Sequence, residues 1–92
     1  MKKSEETTVD TQKIHVQLLS INGDVKDVDD VNYIKIKSKQ YNLIIMKDYL
    51  PIIGEIDGRV EIGMEKDNIV LEKVTGYYMH KHNKFNLFYV EE

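Results

Sequence analysis

The sequence contains no cysteine, no tryptophan and a single proline. The missing cysteine excludes disulfide bonds, thiolate metal sites and thiol nucleophiles from these 92 residues. It is also compatible with a reducing compartment, so we expect a cytoplasmic protein.

Long apolar segments are missing as well. A membrane-spanning helix needs about 18 consecutive apolar residues, whereas the run at residues 43–46 is one of the longest here. The N-terminus has two lysines, but an acidic and hydroxylated run follows where a signal peptide would become apolar. We therefore expect neither a secretion signal nor insertion into a membrane.

The charge balance and the known catalytic motifs narrow the function further. Sixteen acidic against thirteen basic residues give a net charge of −3 with no basic block, which argues against a nucleic-acid partner. No phosphate-binding glycine loop, nucleophile elbow or acid-held histidine can be recognised. We predict a protein that is not an enzyme and that carries no cofactor.

The chain divides into a polar start and one domain. Residues 1–12 hold one apolar side chain beyond the initial methionine, so we predict that they are disordered. Residues 13–92 then form a single domain, in a chain small enough to bury only about 60 to 65% of the surface that it exposes when unfolded.

Apolar residues alternate with polar ones through most of this domain. Ile14, Val16 and Leu18 would share one face of a strand, and the Asn22-Gly23-Asp24 sequence indicates a turn. We interpret Asp27, Asp29 and Asp30 as a solvated connection, and Gly76 as a break between two strands. No helical period persists, which favours an all-β fold. We predict a two-sheet β-sandwich of roughly eight to ten short, mostly antiparallel strands.

Two groups of residues could bind metal ions, although neither completes a motif. His80 and His82 would lie on the same face of a strand, but zinc needs three or four converging ligands. Asp27, Asp29 and Asp30 lack the glycine and glutamate spacing of a calcium loop. We expect no metal site.

The aromatic residues favour a protein partner. Tyr77 and Tyr78 are adjacent, so on a strand they face opposite ways and one of them lies on an outer surface. The same argument applies to Phe88 beside Leu87 and Tyr89. Residues 43–46 and 85–90 are apolar on both faces, which indicates an outer surface that another chain covers in part.

The order of these segments resembles the N-terminal β-sandwich domain of the epsilon subunit of F-type ATP synthases, from about Ile14 to Val90. The Val74-Thr75-Gly76-Tyr77-Tyr78 segment is similar to a glycine-marked segment of that family, and Asn83 to Phe88 resembles its last strand. Pro51 is the only residue kept from a family Pro-Gly-His-x-Pro turn, in which Tyr49 replaces the histidine.

The resemblance implies a non-catalytic structural and coupling subunit of an F-type or F-like rotary ATPase that transports protons. It implies contacts with a gamma-type central stalk and with the c-ring, at the inner face of a bacterial membrane. By position, the ring-facing loop would be Lys39, Gln40, Tyr41 and Asn42, and the stalk-facing residues would be Ser20, Tyr49 and Gly54. The family's C-terminal helical hairpin does not follow Glu92, so we expect neither its inhibitory action nor nucleotide binding.

Two alternatives belong to other classes. One is a free-standing β-sandwich adaptor that binds an unrelated protein or a ligand through its tyrosine-bearing face. The weaker one is a metal-binding module built on the histidines.

Overall fold

The structure is a computed structural model that describes residues 13–92, so the predicted tail at residues 1–12 lies outside the described part. The described residues form six β-strands and none of them lies in a helix. The strands are β1 (Ile14–Ser20), β2 (Val25–Ser38), β3 (Asn42–Met46), β4 (Ile52–Met64), β5 (Asn68–Lys81) and β6 (Lys84–Glu91). Consequently, residues 13–92 include no helix long and apolar enough to cross a membrane.

Five of the strands close into a barrel. The order is β1-β6-β5-β4-β2, and the ring closes because β2 also pairs with β1. β3 adds to β2 as an extra strand outside this ring. β1 and β6 are parallel, whereas every other pair is antiparallel.

Two pairs of long strands contain a register shift of the kind that a β-bulge produces. The register of β2 against β4 shifts between Val31 and Tyr33, and that of β4 against β5 shifts between Gly58 and Val60. A bulge inserts one unpaired residue and sharpens the local twist without ending the strand. The first part of β2 can therefore pair with β1 while its last part pairs with both β3 and β4.

The all-β class is confirmed, but the strand count of eight to ten is wrong and a two-sheet sandwich is not confirmed. The local turn signals predict strand ends at places where the strands continue. Asp27, Asp29 and Asp30 lie within β2 instead of in a connection, and Gly76 lies within β5.

The core follows the expected period of two. Ile14, Val16 and Leu18 share one face of β1, as predicted, and all three are buried. His82 and Asn83 form the turn that links β5 to β6, and both have positive φ. Two such residues characterise the tight hairpin turn whose twist matches that of paired strands.

Candidate interaction surface

A row of outward-facing apolar side chains crosses three neighbouring strands. Phe88 of β6 pairs with Tyr77 of β5 on one side and with Leu19 of β1 on the other. In the adjacent row, Ile53 of β4 pairs directly with Met79 of β5. Together with Val90 of β6, these residues form what we call the outer apolar face: Leu19, Ile53, Tyr77, Met79, Phe88 and Val90.

The outer apolar face is open to solvent. The exposed fraction is 75% for Ile53, 61% for Tyr77 and 54% for Phe88. Single exposed apolar side chains are normal, but a contiguous group of them marks an interaction site. This face is therefore the strongest candidate for a functional surface in residues 13–92.

A different surface of the barrel is polar, and its side chains form hydrogen bonds and ion pairs with one another. The Tyr33 hydroxyl donates a hydrogen bond to Glu61, and Arg59 lies 3.4 Å from Glu61 and 3.3 Å from Glu72. The hydrogen bond from Tyr33 lowers the pKa of Glu61, so this carboxylate stays ionised. The outer apolar face has no such network, which sets it apart.

The predicted ring-facing loop connects β2 to β3. Lys39 pairs with Asp57 at 3.3 Å, and Gln40 and Asn42 are exposed. Tyr41 is half-buried, because its hydroxyl turns inward to bond the carbonyl oxygen of Glu55. Of the four loop residues, Lys39, Gln40 and Asn42 are thus placed to contact another molecule.

The three predicted stalk-facing residues lie in β1, in the β3–β4 loop and in β4. Gly54 lies beneath the ring of its cross-strand partner Tyr78 on the inner side of the barrel. Ser20 ends β1, where its hydroxyl accepts a hydrogen bond from the amide of Asn22. Tyr49 is half-buried and its ring centroid lies 6.4 Å from that of His80.

Two of these three residues are nevertheless next to the outer apolar face in the chain. Ser20 follows Leu19 and Gly54 follows Ile53, and successive side chains of a strand face opposite ways. The outward side chains at these two places are therefore Leu19 and Ile53.

A groove of about 770 Å³ runs beside the outer apolar face. The β2–β3 loop forms one wall and the first half of β4 with β5 forms the other. Its lining includes Tyr41, Leu43, Ile53, Glu55, Tyr77 and Val90. Gly54 lines the same groove as Lys39 and Gln40, so the structure brings a predicted stalk-facing residue next to the predicted ring-facing loop.

The two candidate metal-binding histidines lie in different surroundings, one within β5 and one in the β5–β6 turn. His80 is fully buried and neither ring nitrogen has a hydrogen-bond partner among residues 13–92, while His82 is exposed. Burial lowers the pKa of His80, which is therefore neutral in the folded protein. Within residues 13–92, no three or more histidine, aspartate or glutamate side chains are arranged to hold a metal ion.

His15 instead bonds to Asp27 and Asp29, which the sequence pattern assigns to a solvated connection. Its Nδ1 lies 2.6 Å from Asp29 and its Nε2 lies 3.2 Å from Asp27, across the β1–β2 pair. The hydrogen bond with Asp29 raises the pKa of His15, with a further contribution from Asp27. The arrangement ties the strand that carries Leu19 to β2.

Sequence reasoning found part of the outer apolar face. Tyr77 and Phe88 were singled out because of their adjacent aromatic or apolar neighbours, and both are exposed. Ile53, Met79 and Leu19 were missed. The alternation of each strand gives their direction, but only the register between strands reveals that they form one surface.

The fold is similar to that of a chain in a solved cryo-electron microscopy structure of the Tetrahymena thermophila mitochondrial ATP synthase, described as its central stalk and c-ring. The TM-score is 0.68 at 16% sequence identity, over 88% of this chain and 66% of that chain. This chain therefore spans just under two thirds of the chain that it matches. At this level of identity the comparison establishes a common fold. No protein-family model and no curated protein matches the sequence.

Proposed function

We propose that this protein is an epsilon-like, non-catalytic structural and coupling subunit of an F-type or F-like rotary ATPase. In this role it docks on a gamma-type central stalk and contacts the c-ring, on the cytoplasmic side of a bacterial membrane. It transmits rotation between these partners, while other subunits of the complex carry out ATP synthesis or hydrolysis and proton transport.

The outer apolar face is the observation that carries this proposal. Ile53, Tyr77 and Phe88 are each more than half exposed and lie on adjacent strands. Aromatic side chains are enriched at the centres of protein interfaces, where they lose contact with water. A permanent partner removes this surface from water, whereas a free-standing monomer leaves it exposed.

The fold supports the choice of partner. A chain of an ATP synthase central stalk and c-ring structure has a similar fold. The resemblance of the sequence to the epsilon subunit points to the same assembly. Two separate lines, one from residues and one from backbone geometry, therefore favour a rotary ATPase.

The proposed contacts follow from the surface. The outer apolar face docks on the stalk, and it includes the neighbours of Ser20 and Gly54 in the chain. The tip formed by Lys39, Gln40 and Asn42 contacts the ring. Tyr41 anchors that tip to β4, because its hydroxyl donates a hydrogen bond to the carbonyl oxygen of Glu55.

Binding to a purified gamma-type stalk subunit from the same genome tests the proposal. We expect a stable complex, and we expect Phe88→Lys to weaken it by more than tenfold, because the lysine places a charge in the apolar contact. Ile44→Lys is the matched control, since Ile44 is 50% exposed on β3, outside the outer apolar face. It should bind within about twofold of the wild type.

Failure to bind the stalk subunit would overturn the proposal. Equal weakening by Phe88→Lys and Ile44→Lys would show that the outer apolar face is not the contact. If the stalk subunit does not bind but Phe88→Lys abolishes binding to an unrelated protein, the chain is an adaptor instead.

A further inference from the structure

One edge of β4 is not paired along the first half of the strand. β4 pairs with β5 from Ile52 onward, but β2 reaches β4 only from Gly58 onward, where Gly58 is opposite Ser38. Within residues 13–92 no strand pairs with the other edge at residues 52–57.

The direction of the backbone groups at this edge follows from Asp57. Its carbonyl oxygen accepts a hydrogen bond from the amide of Lys39 and its amide donates to the hydroxyl of Ser38, both at 3.0 Å. Both groups therefore point away from β5. Because backbone groups alternate between the two sides of an antiparallel strand, those of Glu55 and Ile53 point to the same edge.

Most of these groups have no partner in the described part of the chain. The carbonyl oxygen of Glu55 accepts a hydrogen bond from Tyr41. The Glu55 amide, the Ile53 amide and the Ile53 carbonyl have no bond at this edge from residues 13–92. An edge of this kind is a template for one more strand.

The surroundings of the edge define what fits there. The groove beside it leaves room for an extended segment between β4 and the β2–β3 loop. Its charged lining residues are Lys39, Asp57 and Glu55. Lys39 pairs with Asp57, whereas Glu55 has no ionic partner within residues 13–92. The lining of the groove therefore includes one negative charge, on Glu55, that no cation of residues 13–92 neutralises.

We infer that the Ile53 and Glu55 edge of β4 binds an extended segment of a partner protein as an additional β-strand, with a lysine or arginine opposite Glu55. Main-chain hydrogen bonds hold such a strand, and the side chain opposite Glu55 sets its register and its specificity. Ile53 belongs both to this edge and to the outer apolar face, so one partner covers both. The inference rests on the proposed function, since it assigns the segment to the gamma-type stalk subunit.

Amide hydrogen exchange by NMR detects the added strand directly. In the free protein, the amides of Gly54 and Ile56 bond β5 and should exchange slowly, whereas those of Ile53 and Glu55 should exchange fast. Addition of the purified stalk subunit should protect Ile53 and Glu55 as well. Contact through side chains alone would not slow amide exchange at Ile53 and Glu55 specifically, since it forms no hydrogen bonds with these backbone groups.

Ile53→Pro removes the edge amide without removing a bond to β5, since that amide points away from β5. We expect it to weaken binding of the stalk subunit about tenfold. Without the amide of residue 53, a backbone carbonyl of the added strand is buried in the complex with no hydrogen-bond donor. Ile53→Val is the matched comparison, because valine keeps the amide and has as many side-chain carbons as proline. Both variants lose a similar part of the side-chain contact, so the proline variant should bind several-fold more weakly than the valine variant because of the missing amide alone. Slow exchange at Gly54 and Ile56 verifies that the proline variant is folded.

The outcomes separate this inference from the proposed function. If the stalk subunit binds and Phe88→Lys weakens it, but Ile53 and Glu55 stay unprotected and Ile53→Pro binds normally, the added strand is wrong and the proposed function stands. If the stalk subunit does not bind at all, both fall. Protection of Ile53 in the free protein overturns the inference too, and its dependence on protein concentration would identify a second copy of this chain as the occupant.

Discussion

Tyr78 lies across Gly54, its direct partner on the neighbouring strand. A Cβ atom built on Gly54 would be 2.8 Å from Cε1 of Tyr78 and closer still to its hydroxyl. The Tyr78 ring has little room to move, because it is buried and stacks on Phe85 with centroids 5.6 Å apart. Glycine is therefore required at position 54 by packing, whatever the partner of this protein is.

Gly54→Ala should destabilise the protein by about 1–3 kcal/mol, the usual cost of overpacking a tight core site. Urea unfolding followed by circular dichroism measures the change. In the Tyr78→Leu background the same alanine should cost much less, because the ring that it meets is gone. Equal effects in both backgrounds would contradict a Gly54–Tyr78 contact.

Tyr41 links the β2–β3 loop to β4 and β5 through its hydroxyl. This hydroxyl donates to the carbonyl of Glu55, and its oxygen lies 3.0 Å from that of Tyr78. Tyr41→Phe leaves both groups without this partner, so we expect a loss of about 1–2 kcal/mol in the free energy of unfolding.

Tyr49→Phe is the matched control for Tyr41→Phe. Tyr49 is also half-buried, but its hydroxyl bonds to none of residues 13–92. Its removal should change the free energy of unfolding by less than about 0.5 kcal/mol. If the two variants are equally stable, the Tyr41 hydroxyl does not hold the loop.

Local patterns were sufficient for several elements. The alternation at Ile14, Val16 and Leu18 predicted β1 and the face that these residues share. The adjacency of Tyr77 and Tyr78 predicted that their rings face opposite ways with at least one on an outer surface, and their exposed fractions are 61% and 2%. These features depend on neighbours in sequence, which a strand places on opposite sides.

The errors come from contacts between distant residues. Asp27 and Asp29 looked like a solvated connection, but His15 on the adjacent strand binds both of them. Gly76 looked like a break, yet it lies within β5 where the carbonyl of Phe88 leaves no room for a side chain. In both cases the partner strand decides the structure, and its register cannot be deduced from the local sequence.

The candidate site was partly predictable for the same reason. Exposed aromatic residues on β5 and β6 followed from alternation. The unpaired edge at Ile53 and Glu55 did not, because it depends on where β2 stops pairing with β4. The placement of Ser20, Tyr49 and Gly54 at a stalk contact stays a prediction.

His15 makes stability depend on pH through its bonds to Asp29 and Asp27. Its pKa is raised in the folded protein, so the folded state binds the proton more tightly. The stabilisation is complete below the unfolded pKa of about 6.5 and is lost as the pH rises through the higher folded value. His15→Gln should therefore cost up to about 1 kcal/mol at pH 5.5 and little at pH 9, since exposed ion pairs contribute little.

Urea unfolding at the two pH values checks this prediction, and NMR titration of His15 gives a second measurement. Asp29→Asn should bring the His15 pKa down towards its usual value, because the largest contribution comes from that carboxylate. A His15→Gln variant that loses the same stability at both pH values would exclude a role for the charge.

His80 should give the opposite pH dependence. It is fully buried between the rings of Tyr49 and Phe85, and no charged group within residues 13–92 offsets the lowering of its pKa by burial. The folded state therefore excludes the proton that the unfolded state accepts. With respect to His80, the folded state has its full stability above the unfolded pKa of about 6.5. This stability falls as the pH drops towards the lower pKa of His80 in the folded state.

His80→Leu removes both the proton-binding site and two buried nitrogens that have no partner. At pH 7.5 the variant should match or exceed the wild type by up to about 2 kcal/mol, and its advantage should grow at pH 5. Both proteins should carry His15→Gln, so that the opposite slope from His15 does not mask the effect. A constant difference between pH 7.5 and pH 5 would mean that His80 is not buried as a neutral group. In that case Tyr49 and the β3–β4 loop would not seal the core.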